Sequence, residues 1–376
     1  MSWQSYPDEN NIDEMKRTVE RYFRVYETAQ EGAGMAFFVE VPPDEEMLAQ
    51  KFEFLRKELK QRNFIPFLRE KNGEYLIFIT YRPPVKGKPR WVNLALLVTT
   101  VVTTTLSGAI LFVEGETASA GYLFTHMFDG ENLLRGFVFF SLPLMAILGI
   151  HELGHYVVSK RHGVAASLPF FIPLPPNPFL PLGTMGALIS MREPIPDRRS
   201  LLDIGIAGPI AGFLVAIPVL IVGLSMSSTV SLQDIPEGTV MLGDNLLIIL
   251  FSHVMFSVPA GYTISLHPTA FAGWVGLLVT AINLLPAGQL DGGHVARAVL
   301  KEKHRYASLA TIVFLALLTF LGFGNWLFLL LLLVFLIGTQ HPPPLNEYMP
   351  LDTRRKLLAV VALIIFIQSF TPSPVS

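Results

Sequence analysis

Two histidines four residues apart, with a glutamate directly after the first, stand in LGIHELGHYVVSK, from Leu148 to Lys160. On a helix, residues four apart lie one turn above each other, so His151 and His155 aim two imidazoles at one point. That spacing suits a tetrahedral Zn²⁺ site. Glu152 neighbours the first ligand and can reach a water at the metal, where it would serve as general base. Gly154 adds no bulk beside the pair. By chance alone, HExxH arises in about one in a hundred chains of this size.

The surroundings sharpen the signal. The chain has 376 residues, of which 51% are hydrophobic and 15% charged, with a mean hydropathy of +0.47. Soluble domains carry about a quarter charged residues, so a membrane protein is implied. A net charge of −2 draws no nucleic acid. The absence of cysteine excludes disulfides, thiolate metal sites and a cysteine nucleophile, leaving histidine and carboxylate to hold any transition metal. His151 lies nine residues before Lys160, about 13 Å inside the membrane boundary that the lysine marks. Each ionisable group at such depth costs about 2.5–3.5 kcal/mol. Metal coordination offsets that cost. Packing of polar residues against another helix is the plainer alternative.

Residues 1–85 read as a small soluble α+β domain. A helix near 11–20 precedes a hairpin of YFRVYETA and MAFFVEV, a helix over 44–62, and the strands FIPFLRE and YLIFITY across the turn at 71–73. A basic linker, 86–91, leads to a membrane region over 92–376. Apolar runs at about 92–113, 134–158, 201–224, 271–287, 307–321, 325–339 and 356–370 give about seven transmembrane helices of a mainly α polytopic protein. Residues 241–260 are interrupted by Asp244, Asn245, His253 and Pro259, so an interfacial or re-entrant helix is expected there. With residues 1–85 in the cytoplasm, the loops on that side hold RPPVKGKPR, SKRHG, MREPIPDRR, KEKHR and DTRRK. The opposite loops, 114–131, 225–270, 322–324 and the tail after 370, contain no Lys or Arg. Only Arg135 falls toward the wrong side. The polar N-terminus shows no signal-peptide pattern, which fits a prokaryotic plasma membrane; a plastid membrane fits a chain stripped of its leader.

A mononuclear catalytic site needs a third protein ligand and keeps one position open. Besides Glu152, the acidic residues in or at the edge of a span are Asp203 and Asp291. Asp203 sits beside Arg198 and Arg199 at a helix start, which favours a salt bridge. Asp291 lies in AINLLPAGQLDGGHVARAVL, where a span breaks at Pro286 and Gly288 and then resumes. Broken backbone at membrane depth is tolerated where it is buried or lines a wet cavity. There an aspartate can turn toward a metal, and Gly292 and Gly293 let the backbone come close.

HELGH at 151–155 followed by NLLPAGQLDGG at 283–293 resembles the site-2 protease family of intramembrane metalloproteases, closest to its plastid EGY-type and prokaryotic branch. The similarity extends through GTMGALISMREP and IGIAGPIAGF, over about residues 95–300. The resemblance implies that His151, His155 and Asp291 hold one Zn²⁺ per chain and that Glu152 is the base and later the proton donor. Asn283 would orient substrate or stabilise the oxyanion through its amide, although a helix–helix hydrogen bond would also account for it. His294 matches the family block with a capping or supporting role as well founded as ligation; His162, His253, His267 and His341 are expected to stand by at the interface. The segment from Pro169 carries eight Pro and Gly before Ala187, so it is no crossing helix. ALISM could form a short strand, and the resemblance supports a membrane-embedded hairpin that grips an unwound transmembrane substrate as an added strand near Gly183–Met191; a proline-rich interfacial loop is the alternative. IAGPIAG at 206–212 supplies small residues for close helix packing. The partners implied are lipid and a transmembrane protein substrate. A proteolytically idle scaffold and a metal transporter are the competing readings. Transporters usually spread their ligands over repeats near the midplane, and no repeat is visible here.

Overall fold

The computed structural model describes residues 9–32, 34–82, 87, 89–113, 119–178, 180–235, 239–323 and 326–375. Positions 86 and 88 of the expected linker lie outside them. The N-terminal unit runs α1 (Glu9–Glu20), β1 (Arg24–Glu31), β2 (Gly34–Glu40), α2 (Glu45–Lys60), β3 (Phe64–Lys71) and β4 (Glu74–Tyr81). Its four antiparallel strands follow the order β1-β2-β4-β3. Asp44 caps α2 by accepting from the Glu46 N–H at 3.1 Å. Glu45 and Glu46 in the first turn and Lys57 and Lys60 in the last complement the helix dipole. Alternating apolar residues of the strands, among them Phe37, Val39 and Ile77, meet Met15, Val19, Phe52 and Leu55 of the helices in one core.

One member of that core comes from far along the chain. Leu345 is 3% exposed and packs among these side chains. The Leu68 N–H of edge strand β3 donates to Leu345 O at 2.9 Å, and the Leu345 and Asn346 N–H groups donate to Ile195 O and Pro196 O, each at 2.9 Å. Arg69 Nη1 donates to Pro344 O at 3.2 Å. Segment 341–350 is therefore a strap, hydrogen-bonded to the four-stranded sheet on one side and to the chain leading into α7 on the other.

The rest comprises α3 (Arg90–Ile110), α4 (Ala120–His126), α5 (Gly130–Gly136), α6 (Leu142–Arg161), β5 (Phe170–Pro173), β6 (Thr184–Leu188), α7 (Arg198–Ser225), β7 (Ser228–Ser231), α8 (Leu246–Met255), β8 (Tyr262–Ser265), α9 (Pro268–Asn283), α10 (Asp291–Leu300), α11 (His304–Phe320), α12 (Leu327–Leu332) and α13 (Thr353–Ser369). Among the described residues three helices are long and apolar enough to cross a membrane: Arg90–Ile110, the continuous Gly130–Arg161, and Arg198–Ser225. α9 has 16 residues and α11 and α13 have 17 each. At about 1.5 Å per residue these fall a few ångströms short of a ~30 Å hydrocarbon layer. α8, inside the interrupted 241–260 segment, has only 10 residues.

Between α5 and α6 a π-helical turn occupies Phe137–Ser141. Its cause is local. Pro143 has no N–H to offer Phe139 O four residues back. Thr269 at the start of α9 donates its hydroxyl to that carbonyl instead, at 2.7 Å. The main core gathers Phe140, Leu144 and Ile147 before and along α6, Phe213 and Leu220 of α7, and Trp274 of α9. β5 and β6 form a two-stranded antiparallel ribbon with a register shift between Phe171 and Pro173. β6 begins three residues before ALISM, and Met191 makes only an isolated bridge to Ala166.

Truncating Leu345 to Ala should cost about 2–5 kcal/mol of packing. Hydrogen exchange should then show β3, starting with the Leu68 amide, opening faster while α9 keeps its protection. Unchanged exchange in β3 would contradict the strap.

Candidate metal centre

Three elements bring the chemistry together. α6 carries His151, Glu152 and His155, all buried. α9 ends at Asn283 because the chain turns through Pro286 and Gly288, and α10 starts at Asp291. Gly292 lets this turn close: a Cβ there would lie 2.1 Å from Leu284 O.

His151 Nε2 and His155 Nε2 are 3.2 Å apart, and each is 3.2 Å from the same Asp291 oxygen, Oδ2. The three ligand atoms thus form a nearly equilateral triangle. A tetrahedral ion with bonds of about 2.0–2.1 Å spaces its ligand atoms about 3.3–3.4 Å apart. The tautomer also fits. His155 Nδ1 is 2.8 Å from Ile204 O, an atom that can only accept. Nδ1 therefore carries the proton, and Nε2 presents a lone pair toward His151 and Asp291. Lone pairs converging at this distance repel unless a cation sits between them. The donor set, two imidazoles and a carboxylate with no thiolate, is one that Zn²⁺ accepts.

The cradle comes from α7. Gly208 leaves room for the His155 ring, since a Cβ there would approach Nε2 to 2.1 Å. Gly212 does the same one turn later for His151, at 3.1 Å from Nδ1. The IAGPIAG run therefore packs helices closely, and it does so against the two ligand rings themselves. Sequence spacing held that signal, glycines four apart like the histidines they face, but without α7 placed against α6 it reads as general packing.

The other expected residues are distributed as follows. Asn283 Nδ2 lies 3.5 Å from His151 Nε2, at the edge of the site. Glu152 is 5% exposed and has no hydrogen bond or ion pair among the described residues. Asp203 is committed elsewhere, accepting from Arg355 Nε at 2.9 Å and lying 3.0 Å from His162 Nε2. His294 stays outside the ligand triangle, with Nδ1 3.0 Å from Leu290 O and its ring 4.5 Å from that of His341. His267 caps α9. His341 is buried within the strap.

The ribbon lies beside the centre. Phe171 of β5 reaches the position of Gly149, two residues before His151. α3 holds the ribbon in place: Asn93 Nδ2 donates to Leu168 O and Pro169 O, each at 2.9 Å, and Thr103 Oγ1 to Gly183 O at 2.7 Å. Among the described residues the sheet has two strands, so no third strand pairs with the other edge of β6.

The model of Peptidase family M50 matches residues 139–321, which span the triangle, its glycine cradle and Asn283. The chain is 34% identical over 252 residues to a probable zinc metalloprotease EGY1, chloroplastic, of Arabidopsis thaliana, covering 64% of this chain and 44% of that protein. It is 31% identical over 255 residues to the rice protein of the same description, from Oryza sativa subsp. japonica (64% and 42%). To a probable zinc metalloprotease EGY2, chloroplastic, of Oryza sativa subsp. indica, it is 27% identical over 294 residues (76% and 50%). The chain spans about half the length of the curated relatives it matches. No solved structure matches it.

Replacing Gly208 with Ala should push His155 off the triangle and lower zinc affinity by at least about tenfold, the scale on which misoriented ligands cost metal binding. Metal analysis after dialysis against a graded chelator would measure it; unchanged zinc retention would refute the cradle.

Proposed function

The chain belongs to the site-2 protease family of metalloproteases, and from that premise we propose that it is a zinc endopeptidase that cuts a peptide bond within or next to a transmembrane segment of another protein. The observation that carries this reading is the 3.2 Å triangle of His151, His155 and Asp291 beside an unpartnered buried Glu152.

Zn²⁺ held by the three ligands would supply Lewis-acid polarisation and make water nucleophilic at neutral pH. Glu152, one residue from the first ligand, takes the proton of the attacking water and returns it to the leaving amine. Its lack of a protein partner leaves both oxygens free for that transfer. Asn283, at 3.5 Å from His151 Nε2, donates its amide N–H to the substrate carbonyl oxygen as charge develops there. A helical substrate hides its peptide bonds, so a strand-like stretch must be exposed before cleavage. The open edge of β6 can hold such a stretch by backbone pairing; the segment Gly183–Met191 is its docking site. Exposed Met185 and Leu188 offer it apolar contacts.

In this reading about seven helices cross the membrane, the shorter ones reaching the boundary through their flanking residues. The α+β unit over 1–85 and the charged loops face the cytoplasm or its plastid equivalent. α8, too short to cross, lies at the opposite interface. Residues 92–376 carry the catalysis.

Glu152→Gln should keep one zinc per chain and slow cleavage of a reconstituted single-span reporter about 10²–10⁴-fold. Unchanged cleavage would remove Glu152 from the mechanism. Asn283→Ala should lower kcat about 10²–10³-fold with zinc content intact; a drop in zinc without a kcat effect in the loaded enzyme would make the residue a support for His151 instead.

A further inference from the structure

A cleft of about 330 Å³ lies where the soluble unit meets the chain that joins α6 to α7. None of its lining residues belongs to the metal centre. On the soluble side it is walled by the end of α2 and the start of β3, and opposite stand Ala165 and the Arg192–Pro194 segment.

Its charge is unbalanced. Four cations, Arg56, Lys60, Arg82 and Arg192, line it together with one carboxylate, Glu193. Arg56 is held by Glu53, with Nε to Oε2 at 2.7 Å. Lys60 takes Glu193 at 2.7 Å, and Glu193 also accepts from the Ala165 N–H at 3.2 Å. Despite burial, these partners and nearby Arg82 hold the Glu193 carboxyl below its ordinary value. Glu193 is thus engaged, whereas the side chains of Arg82 and Arg192 have neither hydrogen bond nor ion pair among the described residues. Both are only half-buried at the cleft wall.

The backbone of both arginines is held in place. The Arg82 N–H donates to Asn63 O at 2.8 Å, and the Arg192 N–H to Ala165 O at 2.7 Å. The Arg192 guanidinium lies over the backbone of Gly87, where a Cβ would stand 2.4 Å from Nη1. Two guanidiniums line one cleft whose single carboxylate is already taken by Lys60, which leaves positive charge there to be balanced. Their planar forks suit phosphate oxygens in particular. The remaining lining is apolar, with Phe64, Pro66, Pro194 and Leu345. The volume sits at the small-molecule end of the usual ~300–1,000 Å³ range.

We propose that this cleft binds a phosphate-bearing anion of about nucleotide size, clamped between Arg82 of the soluble unit and Arg192 at the root of the ribbon. From Arg192 and Ala165 the pairing continues through the bridge Ala166–Met191 and the Ser167 N–H to Ser190 O bond at 2.9 Å toward β5 and β6. An occupant therefore ties the soluble unit to the base of the segment that presents the open strand edge. A free phosphorylated metabolite and the headgroup of an anionic lipid carry the same chemistry. Binding is independent of whether the metal centre cleaves peptides.

The test uses the full chain in phosphatidylcholine nanodiscs, with ADP and inorganic pyrophosphate as soluble probes and phosphatidylglycerol in the disc as the lipid probe. Calorimetric titration should give a Kd for ADP or pyrophosphate that weakens at least tenfold in R82Q/R192Q. It should stay unchanged in K71Q, a distant control whose lysine pairs with Glu31. If instead only phosphatidylglycerol raises the unfolding temperature, and does so in the wild type and not in R82Q/R192Q, the occupant is a headgroup. R192K keeps the charge and loses the fork, so it should fold and bind more weakly than the wild type. Equal binding by wild type, R82Q/R192Q and K71Q, or no response to any of the three probes, overturns the proposal.

Discussion

Three electron-rich atoms, two imidazole nitrogens and one carboxylate oxygen, are held 3.2 Å apart on two buried histidines and a partly buried aspartate. Such an arrangement opposes itself electrostatically, and a cation at its centre turns the repulsion into attraction. The surrounding architecture serves that convergence. One turn of α6 sets the histidine spacing, the interruption between α9 and α10 turns Asp291 inward, and α7 comes close enough to touch both rings because it carries glycine at 208 and 212. Ile204 O on the same helix fixes the tautomer of His155. α7 thus packs, shapes and orients the centre without contributing a ligand.

Where water is scarce, polar groups must be satisfied from within. The π turn before α6 shows how: the carbonyl that Pro143 leaves without a partner is taken by the Thr269 hydroxyl. Between α3 and the end of that turn, Thr104 Oγ1 and Ser141 Oγ share a hydrogen bond at 2.6 Å. Trp274 Nε1 donates to Gly243 O at 2.8 Å. The first two of these bonds tie the start of α6 to α9 and α3, and so help set the position of the histidines it carries, while the third holds α9 to the loop before α8.

The candidate site was largely legible in the sequence. HELGH encodes its geometry in helical periodicity, and the proline–glycine break before Asp291 announces a residue free to leave its helix. The helices and strands of the N-terminal unit follow from patterns of period 3.6 and 2. What the sequence concealed depends on long-range contact. Gly208 and Gly212 read as packing residues until a particular partner helix is placed against them. The ribbon strand sits closer to Thr184 than the apolar ALISM suggests, because Gly183 must fit against the backbone of Thr103 and Thr104. After α9 only the run 325–339 is cut short, to α12 and the π-helical turn Leu333–Ile337, whereas α11 and α13 each begin three residues before the apolar run that announced them, because polar residues join their first turns.

Segment 341–350 has no periodicity to betray it, yet Leu345 completes a hydrophobic core whose other fully buried members are all drawn from the first 79 residues, and Tyr348 packs against it. A ribosome delivers the chain from the N-terminus, and N-terminal domains generally fold first. Here the early domain leaves the tunnel with a vacancy in its interior and waits for nearly all the apolar helices to be made before the missing leucine arrives. Closure of that core is thereby tied to delivery of a segment that lies beyond α12 in the chain.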